Sequence, residues 1–338
     1  RADARVLDYF KSMSTKFLLY VGADIFIRSI SEHYLRKEDR VTTILLEMLH
    51  ESGATLVLSQ TAFEEVYSHV CGTDYEFTNW YDRIEPYVSV DIARHCSKIL
   101  IRAYFYAKRR PPDGIVPPKS WNHYLDQFVT RAKLHTASGK DEFLRYLCER
   151  YHLEFETTET MVSGVEHGQL DGLTEMLRAA KPDKSNVDLL AYNDALQILR
   201  VYSKRQEVND ASQNTTYGFR VWWLTHETHV MKATAALVKH HNARYIMRPE
   251  FVLNFIALAP SAIDIAKAYD SVFPSMLAIK LSNRMSDGVL HDLIQRTQEA
   301  AEYDDARIAV KMQDLSNRLK GDNYKEYEVA LNENQFLD

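Results

Sequence analysis

Three short apolar runs, each followed by a helical pattern, constrain the fold of this chain more than any other feature. The runs are FLLYVG at 17–22, ATLVL at 54–58 and FRVWWLT at 219–225. Short apolar runs that contain aromatic and β-branched residues favour buried strands. Strands that alternate with helices along the chain predict an α/β core built around a parallel sheet.

Two weaker segments extend this sheet, and helical periodicity accounts for most of the remaining chain. The additional strands are predicted over 153–157 and 244–247. A capping box at 61–64 predicts a helix that begins at Thr61, and a second box at 185–188 makes Asp188 a cap. The other predicted helices cover residues 3–14, 25–51, 167–179, 186–206, 227–240, 250–258, 261–269, 273–283 and 286–320.

Residues 72–149 differ from the rest of the chain because they are polar and rich in aromatic side chains. They contain a proline-rich stretch, RRPPDGIVPPK, at 109–119. This composition predicts a helical insertion that divides the α/β core into residues 1–71 and 150–258.

Residues 259–338 predict a helical C-terminal extension. An apolar seam runs along it and consists of Ile308, Met312, Leu315 and Leu319. At helical spacing these residues form one face, which could dock on the body of the chain or on another chain. A protein partner or a homo-oligomer through these helices is therefore one of two open alternatives.

Charge and cysteine content restrict the class of protein. The 338 residues carry a formal net charge of −6, which argues against a generally basic nucleic-acid coat but allows a local basic track. Cys71, Cys96 and Cys148 form no CxxC pair, so neither a zinc site nor a disulfide framework is predicted, and a cytoplasmic location fits. No apolar run approaches the ~18 residues of a membrane helix, so no membrane association is expected.

Four acidic residues stand where buried elements end or where an apolar face is interrupted. Asp24 and Glu227 follow apolar runs, Glu65 lies in the helix after the second run, and Asp194 interrupts the apolar stripe of LLAYNDALQIL. Parallel strands deliver their carboxyl ends to one edge of a sheet, so these carboxylates are expected to converge. Clustered carboxylates need a cation to remain ionised, and hard oxygen ligands select Mg²⁺ or Mn²⁺. The pattern predicts a metal-dependent phosphodiesterase.

Each acid also has a structural alternative. Asp24 and Glu227 could serve the N-termini of the helices that follow them, where negative charge is favourable. Glu65 could be a solvated helix residue, and Asp194 could pair with an arginine such as Arg28 or Arg200.

The order of these acidic positions resembles that of the PIN-like domain, a metal-dependent RNA-cleaving fold. Ser59 and Glu65 keep the family's spacing of six, and Asn193-Asp194-Ala195-Leu196 is similar to its HDAxL pattern, which a downstream arginine follows. Here the downstream arginines are Arg200 and Arg205. The resemblance covers about 17–71 and 150–258.

The two remaining motifs of the resemblance differ from the family pattern. Thr225-His226-Glu227 is similar to the T-x-D motif, with Glu in place of Asp. Alignment of Ile25-Phe26-Ile27 with the apolar part of the first motif puts Gly22 where the family's Asp stands, and Asp24 two residues later. Either the carboxylate has moved to the same strand end, or the site has lost a ligand.

The resemblance implies a three-layer α/β/α fold and an endoribonuclease that hydrolyses RNA phosphodiester bonds with Mg²⁺ or Mn²⁺. Asp24, Glu65, Asp194 and Glu227 would hold the metal, with Thr225 and Ser59 beside them. It also implies a toxin or an antiviral-defence effector. Two alternatives remain open: a catalytically degenerate PIN-like module that binds RNA or protein, and an all-helical scaffold.

A candidate RNA track lies in the insertion. Its basic residues interleave with aromatic ones, a pattern suited to phosphates and unpaired bases. An amphipathic helical subdomain with a solvated basic face is the alternative. The candidate contacts are Lys108, Arg109, Arg110, Lys119 and Arg131.

Overall fold

A computed structural model gives the fold of residues 17–180, 187–210, 219–227, 229–252, 290–291, 294–295 and 305–319. The chain divides into two compact units. The first comprises Arg1–Ser29, Thr42–Tyr67 and Thr136–Ala266, and the second comprises Ile30–Val41, Ser68–His135 and Lys267–Asp338.

The first unit is built on a five-stranded, entirely parallel sheet with the strand order β3-β2-β1-β4-β5. The first strand of the chain is central, so Leu19 pairs with Leu56 on one side and with Trp222 on the other. The predicted α/β class is confirmed, and the all-helical alternative is wrong. The strands are β1 Leu18–Val21, β2 Thr55–Ser59, β3 Leu153–Glu156, β4 Val221–Leu224 and β5 Ile246–Met247.

Parallel strands need crossover connections, and helices supply them here. In the described chain the α-helices are α1 Ala23–Ser31, α2 Val41–Glu51, α3 Gln60–Glu76, α4 Val90–Ala93, α5 Ile99–Arg109, α6 Trp121–Leu125, α7 Ala137–Tyr151, α8 Thr158–Ser163, α9 His167–Ala179, α10 Val187–Glu207, α11 His229–Ala233, α12 Ala235–His241 and α13 Asp305–Leu319. Shorter helical turns of other types cover Lys37–Asp39, Phe77–Tyr81, Glu85–Tyr87 and Arg131–Lys133.

Helices cover both faces of the sheet and produce three layers. Successive strand residues point to opposite faces. Tyr20, Val57 and Trp223 pack with buried residues of α9 and α10 on one face. On the other face, Leu19 and Trp222 are completely buried. The core therefore lies on both sides of the sheet, as in other parallel α/β folds.

The predicted helix over 25–51 is wrong as a single element, because the chain turns between α1 and α2. Residues 30–41 belong to the second unit, whereas the helical segments on either side of them belong largely to the first. Two hydrogen bonds stabilise this segment. The Leu35 amide donates to the Glu32 carbonyl at 2.9 Å, and Arg40 Nε donates to the Leu35 carbonyl at 2.9 Å. The helical periodicity of the sequence thus continues through residues 32–40, although these residues do not belong to either α-helix.

The predicted helix that starts at Glu227 is also divided. In the described residues it begins at His229 and is interrupted at Thr234, between α11 and α12. The Thr234 hydroxyl donates to the Val230 carbonyl at 2.8 Å and lies 2.6 Å from the Tyr245 hydroxyl. These contacts connect the junction of α11 and α12 to Tyr245, the residue before β5.

The capping box predicted at 61–64 is wrong, since α3 begins at Gln60. The Ser59 hydroxyl accepts a hydrogen bond from the Ala62 amide at 3.3 Å and therefore caps the helix. Glu64 instead pairs with Lys140 at 2.5 Å. Asp188 contacts Arg178 at 2.8 Å, and the first two residues of its predicted box lie outside the described residues.

The second unit is helical throughout its described part and has an aromatic core. The rings of Phe77 and Trp121 stack with centroids 4.4 Å apart, and both side chains are buried. The predicted insertion, 72–149, extends beyond this unit, because α7 is part of the first unit, in which the Phe143 ring contacts that of Phe63.

One helix of the predicted C-terminal extension, α13, belongs to the second unit. Ile308, Met312 and Leu315 are buried on its inner face, and the Ser316 hydroxyl lies 2.6 Å from that of Ser89 before α4. The described part of the apolar seam therefore docks on the chain itself. The predicted helices over 3–14, 261–269 and 273–283 lie outside the described residues.

Across the residues that the structure describes, no helix has the length and apolar character needed to span a membrane.

Candidate functional site

Asp24 lies in the first turn of α1, directly after β1, and three hydrogen bonds fix its carboxylate. Its Oδ1 accepts from the Thr225 hydroxyl at 2.8 Å. Its Oδ2 accepts from the His226 amide at 3.0 Å and lies 2.9 Å from Nδ1 of the same residue. The carboxylate therefore joins the carboxyl ends of β1 and β4, two neighbouring strands of the sheet.

These bonds control the charge of Asp24. Burial raises the pKa of the carboxyl group, but the hydrogen bonds from His226 and Thr225 outweigh burial and hold the pKa below its ordinary value. The group is therefore an anion at neutral pH. An ionised carboxylate only accepts hydrogen bonds, so the proton between the two side chains belongs to Nδ1 of His226.

Gly22 leaves the space that this carboxylate occupies. A Cβ atom on Gly22 would lie 2.6 Å from Asp24 Oδ1 and 3.0 Å from Thr225 Oγ1. A side chain at position 22 and the observed carboxylate of Asp24 cannot both be present. The Asp24 carboxylate therefore occupies, at the end of β1, the space that a side chain at position 22 would need.

His226 connects Asp24 to a further acid, Glu250. Nε2 of His226 lies 3.4 Å from Glu250 Oε1, and Arg248 Nε lies 3.4 Å from the other oxygen of Glu250. Glu250 is not among the site residues predicted from the sequence. The sequence contains a signal for it, because Glu250 follows the predicted last strand by three residues. It therefore stands at the same edge of the sheet as Asp24.

Asp194 and Glu227 both lie near one buried tyrosine, Tyr245. Burial raises the pKa of the Tyr245 hydroxyl, and the negative charges of Asp194 and Glu227 contribute to that rise. Both carboxylate residues are half-buried. The Glu227 amide also donates to the Thr225 hydroxyl at 3.0 Å, which ties it to the group that holds Asp24.

Glu65 is exposed and lies in α3. A hydrogen bond of Ser59, the residue before α3, connects this helix to the one that carries Asp194. The buried Ser59 hydroxyl donates to Gln197 Oε1 at 2.9 Å, so the start of α3 is fixed against the middle of α10. Gln197 lies three residues after Asp194, and residues three apart on a helix are neighbours. The helix that carries Glu65 therefore begins beside the turn of α10 that carries Asp194.

The chemistry of these side chains fits Mg²⁺ or Mn²⁺, but their arrangement is not that of an assembled metal centre. Carboxylates are the preferred ligands of both ions. Within the described part of the chain, no three or more His, Cys, Asp or Glu side chains are grouped so that they could hold one ion. Both oxygens of Asp24 are already hydrogen-bonded to Thr225 or His226.

Both downstream arginines, Arg200 and Arg205, make structural contacts with other residues. Arg200 is 2% exposed and pairs with Glu156 at 2.6 Å and with Glu207. Arg205 donates to the Val221 carbonyl through Nη2 at 2.8 Å, at the amino end of β4. The ion pairs described for Arg200 are therefore with Glu156 and Glu207, and Arg205 supports the start of β4.

Three of the five candidate RNA contacts are engaged within the second unit. Lys108 pairs with Glu85, Arg109 donates to the Val88 carbonyl at 2.9 Å, and Arg131 pairs with Asp74 at 2.6 Å. The other two, Arg110 and Lys119, are exposed. The structure therefore leaves two of the five predicted basic residues exposed.

Asp24, Glu227 and Glu250 follow the carboxyl ends of β1, β4 and β5, whereas Asp194 lies in α10 and Glu65 in α3. This edge is the usual location of ligand sites in open parallel sheets. Comparison of the chain with models of protein families, with curated proteins and with solved structures gives no match.

Proposed function

We propose that this protein is a metal-dependent endoribonuclease of the PIN-like class that hydrolyses RNA phosphodiester bonds. One observation carries the proposal: the ionised carboxylate of Asp24 is fixed by Thr225 and His226 where the two central strands end. Asp194 and Glu227 flank the same edge, so negative charge is concentrated where a divalent cation would be needed.

The metal, when bound, would activate water and neutralise charge on the phosphate. Asp24, Glu65, Asp194 and Glu227 would hold it. The protein's own side chains orient the Asp24 carboxylate. The Thr225 hydroxyl and Nδ1 of His226 contact its two oxygens, and Glu250 lies near Nε2 of His226. Groups that orient a metal ligand in this way strengthen binding and fix geometry.

A second candidate function is a catalytically degenerate PIN-like module that binds RNA or protein. It is favoured by the finding that the described acids do not form a group able to hold one ion. It is also favoured by the engagement of both Asp24 oxygens. The two candidates share a fold, and cleavage of RNA distinguishes them.

The biological setting follows from the resemblance and is part of the proposal. We place the protein in the cytoplasm, as a toxin or antiviral-defence effector that acts on single-stranded or structured RNA. Cys71, Cys96 and Cys148 have free thiols, which suits a reducing compartment.

The deciding experiment incubates labelled single-stranded RNA and DNA with the protein in Mg²⁺, Mn²⁺ or a chelator. The wild type is compared with Asp194→Asn and with Asp188→Asn, a matched change on the exposed face of the same helix. We expect RNA cleavage that requires metal and that Asp194→Asn lowers about 100-fold, with Asp188→Asn unchanged. Equal cleavage by the wild type and Asp194→Asn would refute this site, and RNA binding without cleavage would support the second candidate.

A further inference from the structure

A pocket of about 430 Å³ lies at the opposite edge of the sheet from the acids, beside the amino end of β4. The ends of α10 and α12 and the residues before β4 line it. Its volume falls within the range of about 300–1,000 Å³ that is common for small-molecule sites. The feature is independent of the proposed nuclease site, which stands beyond the carboxyl ends of the same strands.

A buried guanidinium forms one wall of this pocket. Arg205 is 4% exposed, and its Nε and Nη2 atoms donate to the Val221 carbonyl at 3.0 and 2.8 Å. Its centre lies 4.3 Å from the ring of Phe219 and 4.9 Å from the ring of Trp222. The remaining nitrogen, Nη1, is buried and has no hydrogen-bond partner.

No ion pair joins Arg205 to a carboxylate in the described part of the chain, although the negative charge of Asp210 partly opposes the effect of burial on the pKa of Arg205. Asp210 also lines the pocket, but it accepts from the amides of Arg220 and Val221 at 2.7 and 3.0 Å and pairs with the Arg220 side chain. Burial lowers the pKa of Arg205 to about 10, as expected for a desolvated cation. Cations without a counter-charge are rarely buried, because desolvation is costly.

The side chains of His241 and Tyr202 form part of the remaining wall of the pocket. The ring of His241 stacks on that of Tyr202 with centroids 3.9 Å apart. Burial, followed by the charges of His240 and Arg205, lowers the pKa of His241, so its ring is neutral at neutral pH. A neutral imidazole offers one N–H donor without adding charge.

We infer that this pocket binds a small organic oxyanion, a phosphate or a carboxylate, whose oxygen pairs with the Arg205 guanidinium. The oxyanion would supply an acceptor for Nη1 and would add negative charge beside the buried cation. Guanidinium groups bind carboxylate and phosphate oxygens through paired donors, so both chemistries suit this wall.

Calorimetric titration of the full chain tests the inference with four probes: inorganic phosphate, succinate, adenosine monophosphate and adenosine. Phosphate and succinate separate the two chemistries, and adenosine is the uncharged control for its monophosphate. We expect binding of at least one anion and none of adenosine. Absence of binding by every anion up to about 10 mM would overturn the inference.

Two charge-matched variants locate the site. Gln206→Glu places a negative charge on the exposed pocket rim at nearly constant size, and Lys204→Gln changes the net charge equally two residues away, outside the pocket lining. We expect Gln206→Glu to weaken anion binding about tenfold and Lys204→Gln to leave it nearly unchanged. Equal affinity in wild type and Gln206→Glu would refute the assignment. Neither variant removes the bonds of Arg205 to Val221, so loss of folding does not obscure the result.

Discussion

The carboxylate of Asp24 fills the space that a side chain on Gly22 would need, with Oδ1 only 2.6 Å from the ideal Cβ position. The strand end therefore carries one acid, and that acid is supplied from the first turn of α1 instead of from the strand. Thr225 and His226, which follow β4, hold it in this place.

Substitution of Gly22 by alanine should destabilise the protein by about 2 kcal/mol, because the new Cβ displaces the Asp24 carboxylate from its hydrogen bonds. Urea unfolding measures the change. Gly172→Ala is the control, since a Cβ at that helical position of the same unit meets nothing within 4 Å. The control should gain roughly 0.5–1 kcal/mol. Similar effects of the two substitutions would contradict the packing of Asp24 against Gly22.

His226→Gln and Glu250→Gln should each lower RNA cleavage by about 10–100-fold, because they remove groups that hold Asp24 or the ring beside it. The concentration of Mn²⁺ that gives half of the maximal thermal stabilisation should rise in parallel. Arg248→Gln is the control, since the side chain is largely exposed and contacts Glu250 at 3.4 Å. A control that is impaired as strongly as the two variants would show that the whole segment, not His226, matters.

Arg200→Gln should destabilise the protein by about 3–5 kcal/mol, because it leaves Glu156 without its partner in a largely buried pair. Arg200 is 2% exposed and Glu156 is 13% exposed. Arg178→Gln, which removes exposed pairs with Glu175 and Asp188, should cost less than about 1 kcal/mol. Thermal unfolding compares the two, and a similar small loss in both would show that the Arg200 pair is solvated.

Arg110→Gln combined with Lys119→Gln should weaken RNA binding and lower its dependence on salt concentration by about one to two units of slope. Both residues are exposed, so stability should not change. Arg109→Gln should instead reduce stability, because Arg109 donates to the Val88 carbonyl. Filter binding over a range of salt concentrations measures the slope, and an unchanged slope in the double variant would remove the insertion as an RNA surface.

His69 should make stability depend on pH between about 6.5 and 4. Burial, with a smaller contribution from Lys98, lowers its pKa to about 4 in the folded protein, and Nε2 is buried without a hydrogen-bond partner. The unfolded chain takes up a proton near pH 6.5, so stability falls as pH decreases through this window, by up to roughly 1.4 kcal/mol per pH unit. His69→Gln should flatten this part of the profile relative to His167→Gln, an exposed control, and identical profiles would exclude His69 as the source.

The sheet could be predicted from the sequence because its signals are local. The apolar runs before Asp24 and before Thr225 are buried on both faces, so each strand appears as a continuous apolar segment. The break in the helix after Ser31 could not be predicted, because it depends on which unit residues 30–41 join. Local periodicity carries no information about that choice.

The sequence by itself determined the α/β class and the position of the acidic residues along the chain, since strand ends are fixed by short apolar patterns. Only the tertiary structure decided how those acids are held. Asp24 meets Thr225 and His226, which lie 201 and 202 residues away along the chain. It also placed Glu250 against His226 and left Nη1 of Arg205 buried without a hydrogen-bond partner. Contacts at such separations depend on the order of strands in the sheet, and the physical forces that set this order act across the whole core.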